Sequence, residues 1–205
     1  MDKINISEHD ILLSQRVSII AENKNRLKMK SPSNSYSRTE ELIEIWLENL
    51  NKYTDEQFLR KPNEESWSVG QVYEHLIRAT EFLHFGQITQ CLQMNDTKAA
   101  GEKNIKGKIA YTLGMFLPVK IEVPPTPTYT PPQPKSKKDV EERMKNLLPS
   151  LKGFLPLLET ANPNNKTAHP GLGFLNAYEW YQIIEMHFHH HLRQKSRLDN
   201  FLGVN

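Results

Sequence analysis

Sulfur chemistry is almost missing from this chain. Cys91 is its only cysteine among 205 residues, so no disulfide framework forms within one chain and a multi-thiolate metal site is excluded. Any transition-metal site must then use histidine and carboxylate. Cys91 itself lies in Ile88-Thr89-Gln90-Cys91-Leu92 and reads as a core filler rather than a nucleophile. Long apolar runs are missing too. No stretch approaches the roughly 20 apolar residues of a membrane span. The first residues, Met1-Asp2-Lys3-Ile4-Asn5-Ile6-Ser7-Glu8, lack the apolar stretch of a secretory leader. The expectation is a cytoplasmic protein with no membrane partner.

Strong charge of either sign is also absent. The formal net charge is +2, too mild for a nucleic-acid footprint. Lysines cluster at Lys24 to Lys30 and at Lys135 to Lys138, but no arginine–aromatic pattern accompanies them. These clusters read as loop charge, and no nucleic-acid partner is expected. With 38 % hydrophobic and 24 % charged residues the composition is that of an ordinary globular protein, long enough for one sizeable core.

What is present is histidine in an unusual place. Half of the eight histidines sit in His187-Phe188-His189-His190-His191, inside a segment with the period of a core-facing helix. Trp180, Ile184, His187, His191, Gln194 and Leu198 recur in steps of four and three. Two such histidines stand about 6 Å apart along a helix axis, within reach of one ion. Buried ring nitrogens need a partner, because an unpaired buried polar group is costly. A metal ion is the obvious one.

Four segments carry helical period. The first runs from about Arg38 to Tyr53, with Ser37 as N-cap and Leu42, Trp46, Leu50 and Tyr53 on one stripe. In the second, Ser68-Val69-Gly70-Gln71 reads as a capping box and opens a helix to about Met94. Its stripe is Val72, His75, Ala79, Phe82 and Gly86, which places His75 on a core-facing seam. Ser136 starts the third helix, with Val140, Met144, Leu147, Leu151, Leu155 and Leu158 in register; Pro149 and Pro156 predict a kink or a break in two. Asn176-Ala177-Tyr178-Glu179 is a second capping box and opens the fourth helix, to about Asn200.

Between the second and third helices, Asn95 to Lys135 holds a short helix over Ile109 to Leu117. A proline-rich run from Pro118 to Pro134 follows, semi-rigid and extended, and reads as a strap across the outside of the bundle rather than an SH3-type ligand. Asn162-Pro163-Asn164-Asn165 is a turn and His169-Pro170-Gly171-Leu172-Gly173 an irregular loop. No segment reads convincingly as a strand. The fold expected is therefore all-α, a four-helix bundle with a long Pro-rich crossover between helices 2 and 3. Residues 1 to 36 read as an N-terminal extension. Ser7 to Glu22 can be written as a helix, and Asn23 to Ser35 has the composition of a flexible arm. Residues 37 to 205 form the bundle domain.

The candidate metal ligands are His75, His187 and His191. Three neutral imidazoles leave coordination positions open for water or substrate, as in a catalytic site. His190 lies near the His187 face and stands as an alternative to His191; His189 points to solvent. His84 reads as a surface or packing residue. Among candidate proton acceptors, Glu74, Tyr73, Glu185 and Tyr181 point away from the seam. Gln194 reads as a ligand-orienting or packing residue, Trp67 and Trp180 as core or rim, and His169 as a turn residue.

Three motifs together resemble the DinB/YfiT-like superfamily: Trp67-Ser68-Val69-Gly70-Gln71-Val72-Tyr73-Glu74-His75-Leu76; His169-Pro170-x-x-Gly173-x-Leu175-Asn176-x-x-Glu179-Trp180; and His187-x-x-x-His191-Leu192-Arg193-Gln194. The resemblance covers about residues 37 to 200. It implies a four-helix bundle holding a divalent metal, zinc or nickel, on His75, His187 and His191. It also implies either a transferase that uses a low-molecular-weight thiol or a hydrolase, so the expected partner is a small-molecule substrate or thiol. The N-terminal extension and the extra histidines His189 and His190 depart from the pattern. A non-catalytic metal-binding stress-response or interaction protein is the rival reading. A homodimer is compatible with a bundle of this size.

Overall fold

A computed structural model describes residues 31–94, 101–116 and 130–204. Helix α1 spans Pro32–Leu50, and the short α2 spans Asp55–Leu59. One long helical rod follows, made of α3 (Val69–Arg78), a π-helical segment (Ala79–His84) and α4 (Phe85–Gln93). Next come α5 (Ile105–Leu113) and α6 (Lys137–Glu159). A hairpin of β1 (Lys166–His169) and β2 (Gly173–Asn176) leads directly into α7 (Ala177–Leu202). The described residues are mostly helical, with this one small antiparallel sheet. Helix α1 packs on α6 and α7, α3 on both of the same helices, and α4 on α7. Trp46, Tyr73, Trp180, Tyr181 and Phe188 are fully buried where these helices meet. No helix among the described residues is long and apolar enough to cross a membrane.

The two capping boxes form as the sequence predicts. The Ser68 hydroxyl accepts from Gln71 N at 3.1 Å and Gln71 Oε1 from Ser68 N at 3.0 Å. Asn176 and Glu179 close the same reciprocal pair at the start of α7. Each box satisfies two amides that a helix start leaves without partners, and so sets the phase of the helix that carries each histidine.

Helix α1 begins six residues before the expected start. Ser31, not Ser37, is its N-cap, accepting from Asn34 N at 3.2 Å, and Pro32 occupies the first turn, where its missing N–H costs nothing. The end of the stretch read as a flexible arm is thus helical. Thr39 and Ser37 turn their hydroxyls onto the carbonyls of Ser35 and Ser33 one turn back, which lets a serine-rich run stay helical. Residues 1–30, including the proposed Ser7 to Glu22 helix, lie outside the described residues.

Helix α6 runs unbroken through Pro149 and Pro156, against the expected kink or break. Both prolines are exposed, as are Lys145 and Lys152, the residues whose carbonyls lose an amide partner. Seven residues apart, the prolines share the outer face, where the freed carbonyls are open to solvent rather than stranded in the core. The short helix expected over Ile109 to Leu117 starts earlier, capped by Asn104 and ended by Gly114 in the left-handed region at φ 69°.

The expected irregular loop around His169 is a hairpin turn. Lys166 pairs with Asn176 and His169 with Gly173. Gly173 adopts φ +84°, and a Cβ there would meet Asn104 N at 2.5 Å, so only glycine lets the chain before α5 approach this closely. Thr167 and Leu175 point inward; an alternation over four-residue strands is too short to stand out in sequence. Of the Pro-rich crossover, residues 117–129 lie outside the described residues. Its end is strapped over the start of α3, where Gln71 Nε2 donates to Pro131 O at 2.7 Å, Ser68 Oγ to Gln133 Oε1 at 2.8 Å, and Gln133 Nε2 to Leu59 O at 3.0 Å.

Candidate metal centre

The α7 seam forms as its spacing demands. Trp180, Ile184, His191 and Leu198 are buried and His187 is nearly so, while His189 is exposed. The capping box at Asn176 fixes this phase, and the Trp180 indole latches it to the hairpin by donating to Thr167 Oγ1 at 2.8 Å. Helix α3 brings His75 against the same place. His75 Nε2 lies 2.9 Å from His187 Nε2, which is 3.1 Å from His191 Nε2.

These contacts cannot both be good hydrogen bonds. A neutral imidazole nitrogen carries either one proton or one lone pair, so His187 Nε2 satisfies one neighbour and not the other. A shared cation satisfies all three. Nitrogens bound tetrahedrally to one ion at about 2.1 Å lie about 3.4 Å apart, and two of the three pairs here stand at 2.9 and 3.1 Å. Among the described residues the only group of three or more metal-binding side chains is His75, His187 and His191, with donor atoms within 4.8 Å of one another. The alternative ligand His190 is not in it; its ring packs edge-on against Phe116.

The protonation states suit ligation. Burial pushes His75 down to about 4 and His191 to about 3, and holds His187 well below its ordinary value. Neighbouring imidazoles push the same way. All three rings are therefore neutral at pH 7, with a lone pair to offer. The tautomer of His191 is set as well. Its Nδ1 lies 2.8 Å from Gln194 Oε1, an acceptor, so Nδ1 carries the proton and Nε2 is left free for an ion. Gln194 thus bonds the ring of His191 rather than only packing. The Trp67 ring, half-buried, packs against His75 with ring centroids 5.1 Å apart.

The other polar residues near these positions are engaged elsewhere. Glu74 holds Arg143 with both oxygens, at 3.0 and 2.8 Å. Tyr73 donates to Trp46 O and Tyr181 to Leu151 O. Glu185 binds Arg38 with both oxygens. None of them faces the cluster as a base. His169 Nδ1 accepts from Gly171 N at 3.0 Å within the hairpin turn, and its ring packs on Trp180. Cys91 is buried beside Thr167 at 3.5 Å, which fits the core-filler reading.

One residue at the site was missed. His84 is 3 % exposed and its ring lies 5.4 Å, centroid to centroid, from that of His187. It follows His75 by nine residues, which at about 100° per residue is the opposite face of an α-helix. The π segment cuts that offset to about 80°. Phe85 N bonds to Thr80 O, five residues back, and the wider turn takes up roughly one extra residue. His84 swings in, while Phe82, expected on the seam, swings out to 69 % exposure, and Gly86 is exposed with it. No spacing signal in the sequence marks this turn.

A family model described as DinB superfamily matches residues 35–194. The chain belongs to the DinB superfamily. The match takes in α1 through the histidine run of α7 and ends on Gln194, the residue that holds His191. No curated protein matches the chain.

Proposed function

We propose that this DinB-superfamily chain is a metal-dependent enzyme built as a four-helix bundle of α1, the α3–α4 rod, α6 and α7. In this reading His75, His187 and His191 hold one divalent ion, zinc or nickel, and the reaction activates a thiol or a water. A thiol S-transferase is favoured over a hydrolase. The observation that carries the reading is the convergence of three neutral ring nitrogens from two helices, two of the contacts being 2.9 and 3.1 Å.

An ion held by three imidazoles keeps coordination positions open and lowers the pKa of a bound thiol or water, so that the anion forms near neutral pH. The chain supplies the setting. Gln194 fixes the tautomer of His191, and Trp67 covers one side of His75. The nucleophile comes from outside, since the one cysteine is buried away from the cluster beside Thr167 and the Leu175 carbonyl. A low-molecular-weight thiol is the partner of fitting chemistry.

The test is metal content of untagged protein purified without a nickel column, wild type against His75→Ala and His187→Ala. Near-stoichiometric metal in wild type, lost in both variants while the helical circular-dichroism spectrum is kept, supports the site, and thiol-transfer assays then follow. Wild type that carries no metal and takes up none of zinc, nickel or iron sinks it.

A further inference from the structure

The α3–α4 rod departs from α-helical geometry at one place, and the residue this delivers to the core is His84. A π turn inside a long helix costs hydrogen-bond geometry and is often kept where it places a side chain for function. Here Thr80 Oγ1 donates to Leu76 O at 2.8 Å within the same turn, while Phe85 N reaches back to Thr80 O. The turn sets the His84 ring between Trp180, at 6.3 Å, and His187, at 5.4 Å.

Two ring atoms at this contact have no partner. Nδ1 of His84 and Nδ1 of His187 are both fully buried and make no hydrogen bond. A buried polar atom without a partner is costly, and two in neighbouring rings, 5.4 Å apart centroid to centroid, call for one explanation. If His187 offers Nε2 to an ion, its proton sits on Nδ1, which becomes a donor without an acceptor. A neutral His84 with its proton on Nε2 has at Nδ1 an acceptor without a donor. The two are complementary. His191 already shows the arrangement, with its Nδ1 against Gln194 Oε1 at 2.8 Å.

We infer that His84 is the positioning residue of His187, its Nδ1 accepting the Nδ1–H of His187 through one water molecule or after a small ring rotation. Each of the two α7 histidines in the cluster then has its own acceptor, Gln194 for His191 and His84 for His187. The inference rests on the metal reading above and adds a role that the three-histidine set does not contain. It also gives the π turn its reason, since without it His84 would face away from His187.

The experiment compares zinc binding by wild type, His84→Phe and His84→Asn. Long-range nitrogen–proton spectra of the histidine rings are recorded on the zinc-loaded forms. Phenylalanine keeps the ring volume and removes the acceptor; the asparagine oxygen stands close to where Nδ1 was. Losing the acceptor behind a metal-bound histidine weakens binding about 10–100-fold. That loss is expected in His84→Phe, with much of the affinity restored in His84→Asn. In wild type the His187 signal should show a proton on Nδ1 in slow exchange with water, and in His84→Phe that proton should exchange fast. Unchanged affinity in His84→Phe, or equal loss in both variants, overturns the role and leaves the metal reading standing. Should His84→Phe not fold, the wild-type spectrum decides alone, because a His187 ring without a proton on Nδ1 also overturns it. Wild type that binds no zinc fails the metal reading, and this inference with it.

Discussion

The two helical rods that build the histidine cluster obey different rules. Helix α7 keeps one period over 26 residues, and its histidines face where a 3.6-residue turn sends them. The α3–α4 rod keeps that period only through Arg78, then takes a π turn and resumes it from Phe85. In α7 the position in sequence gives the face. In the rod it does so only on either side of the turn. The core-facing position of His75, in the regular part, is therefore readable from spacing, and that of His84, nine residues on, is not. A π turn is a single-residue excess absorbed inside a helix, so the two rods should answer differently to losing a residue.

Deleting Gln182, a partly exposed position in α7, should have the largest effect. It puts Phe188 and Leu192 where His187 and His191 stand and breaks the seam between Trp180 and Leu198. The expected outcome is loss of zinc binding with a lowered or absent cooperative thermal transition. Deleting Phe82 from the π segment should let that turn close to an α turn, with His75 and His84 both still inward. Zinc affinity should stay within about tenfold, or about 1.4 kcal/mol, of wild type. Titration of both deletion proteins checks this; equal damage from the two deletions breaks the comparison.

Acid should act on both rods and on the hairpin. Burial holds His75 and His169 down to about 4 and His84 and His191 to about 3. The unfolded chain takes up these protons at its ordinary histidine pKa near 6.5 and the folded chain does not. Metal-free protein should therefore hold full stability above pH 7 and lose it progressively as pH falls from about 6.5 toward 4. Urea unfolding midpoints across this range measure it. In His84→Phe the decline should be shallower, because one proton fewer separates the two states. A midpoint flat from pH 7 to 5 contradicts the burial of these rings.

The sequence carried what depends on a regular helix or a short local signal. The capping boxes at Ser68 and Asn176, the seam through Trp180 and His191, and the outward face of His189 all follow from residue spacing within one turn or a few. The misses come from features that tertiary packing decides. The prolines of α6 read as breakers because their exposure was unknown, and on a solvent face they are tolerated. Ser31 and Ser37 are both acceptable caps, and the buried Ser35 and Thr39 extend the helix to the earlier one. The hairpin of Lys166–His169 and Gly173–Asn176 is held by the Thr167–Trp180 bond and by contact with the segment before α5, neither visible in four-residue strands. The contact of His75 with the α7 pair was reached from both its seam and the family motif.

The smallest effect separates the two periods most cleanly. A strict α period puts Phe82 on the core seam with His75, where truncating a phenylalanine costs about 3–5 kcal/mol. The π turn instead leaves it 69 % exposed, touching Arg78, whose guanidinium sits 5.3 Å from the ring centre. An exposed cation–π contact is worth about 0.5–1 kcal/mol. Phe82→Ser should therefore cost less than about 1 kcal/mol in urea unfolding, with zinc affinity unchanged. A loss of about 3 kcal/mol or more would mean that Phe82 is in the core and the rod is α-helical throughout. His84 would then lie opposite His75, and its role behind His187 would fall with the π turn.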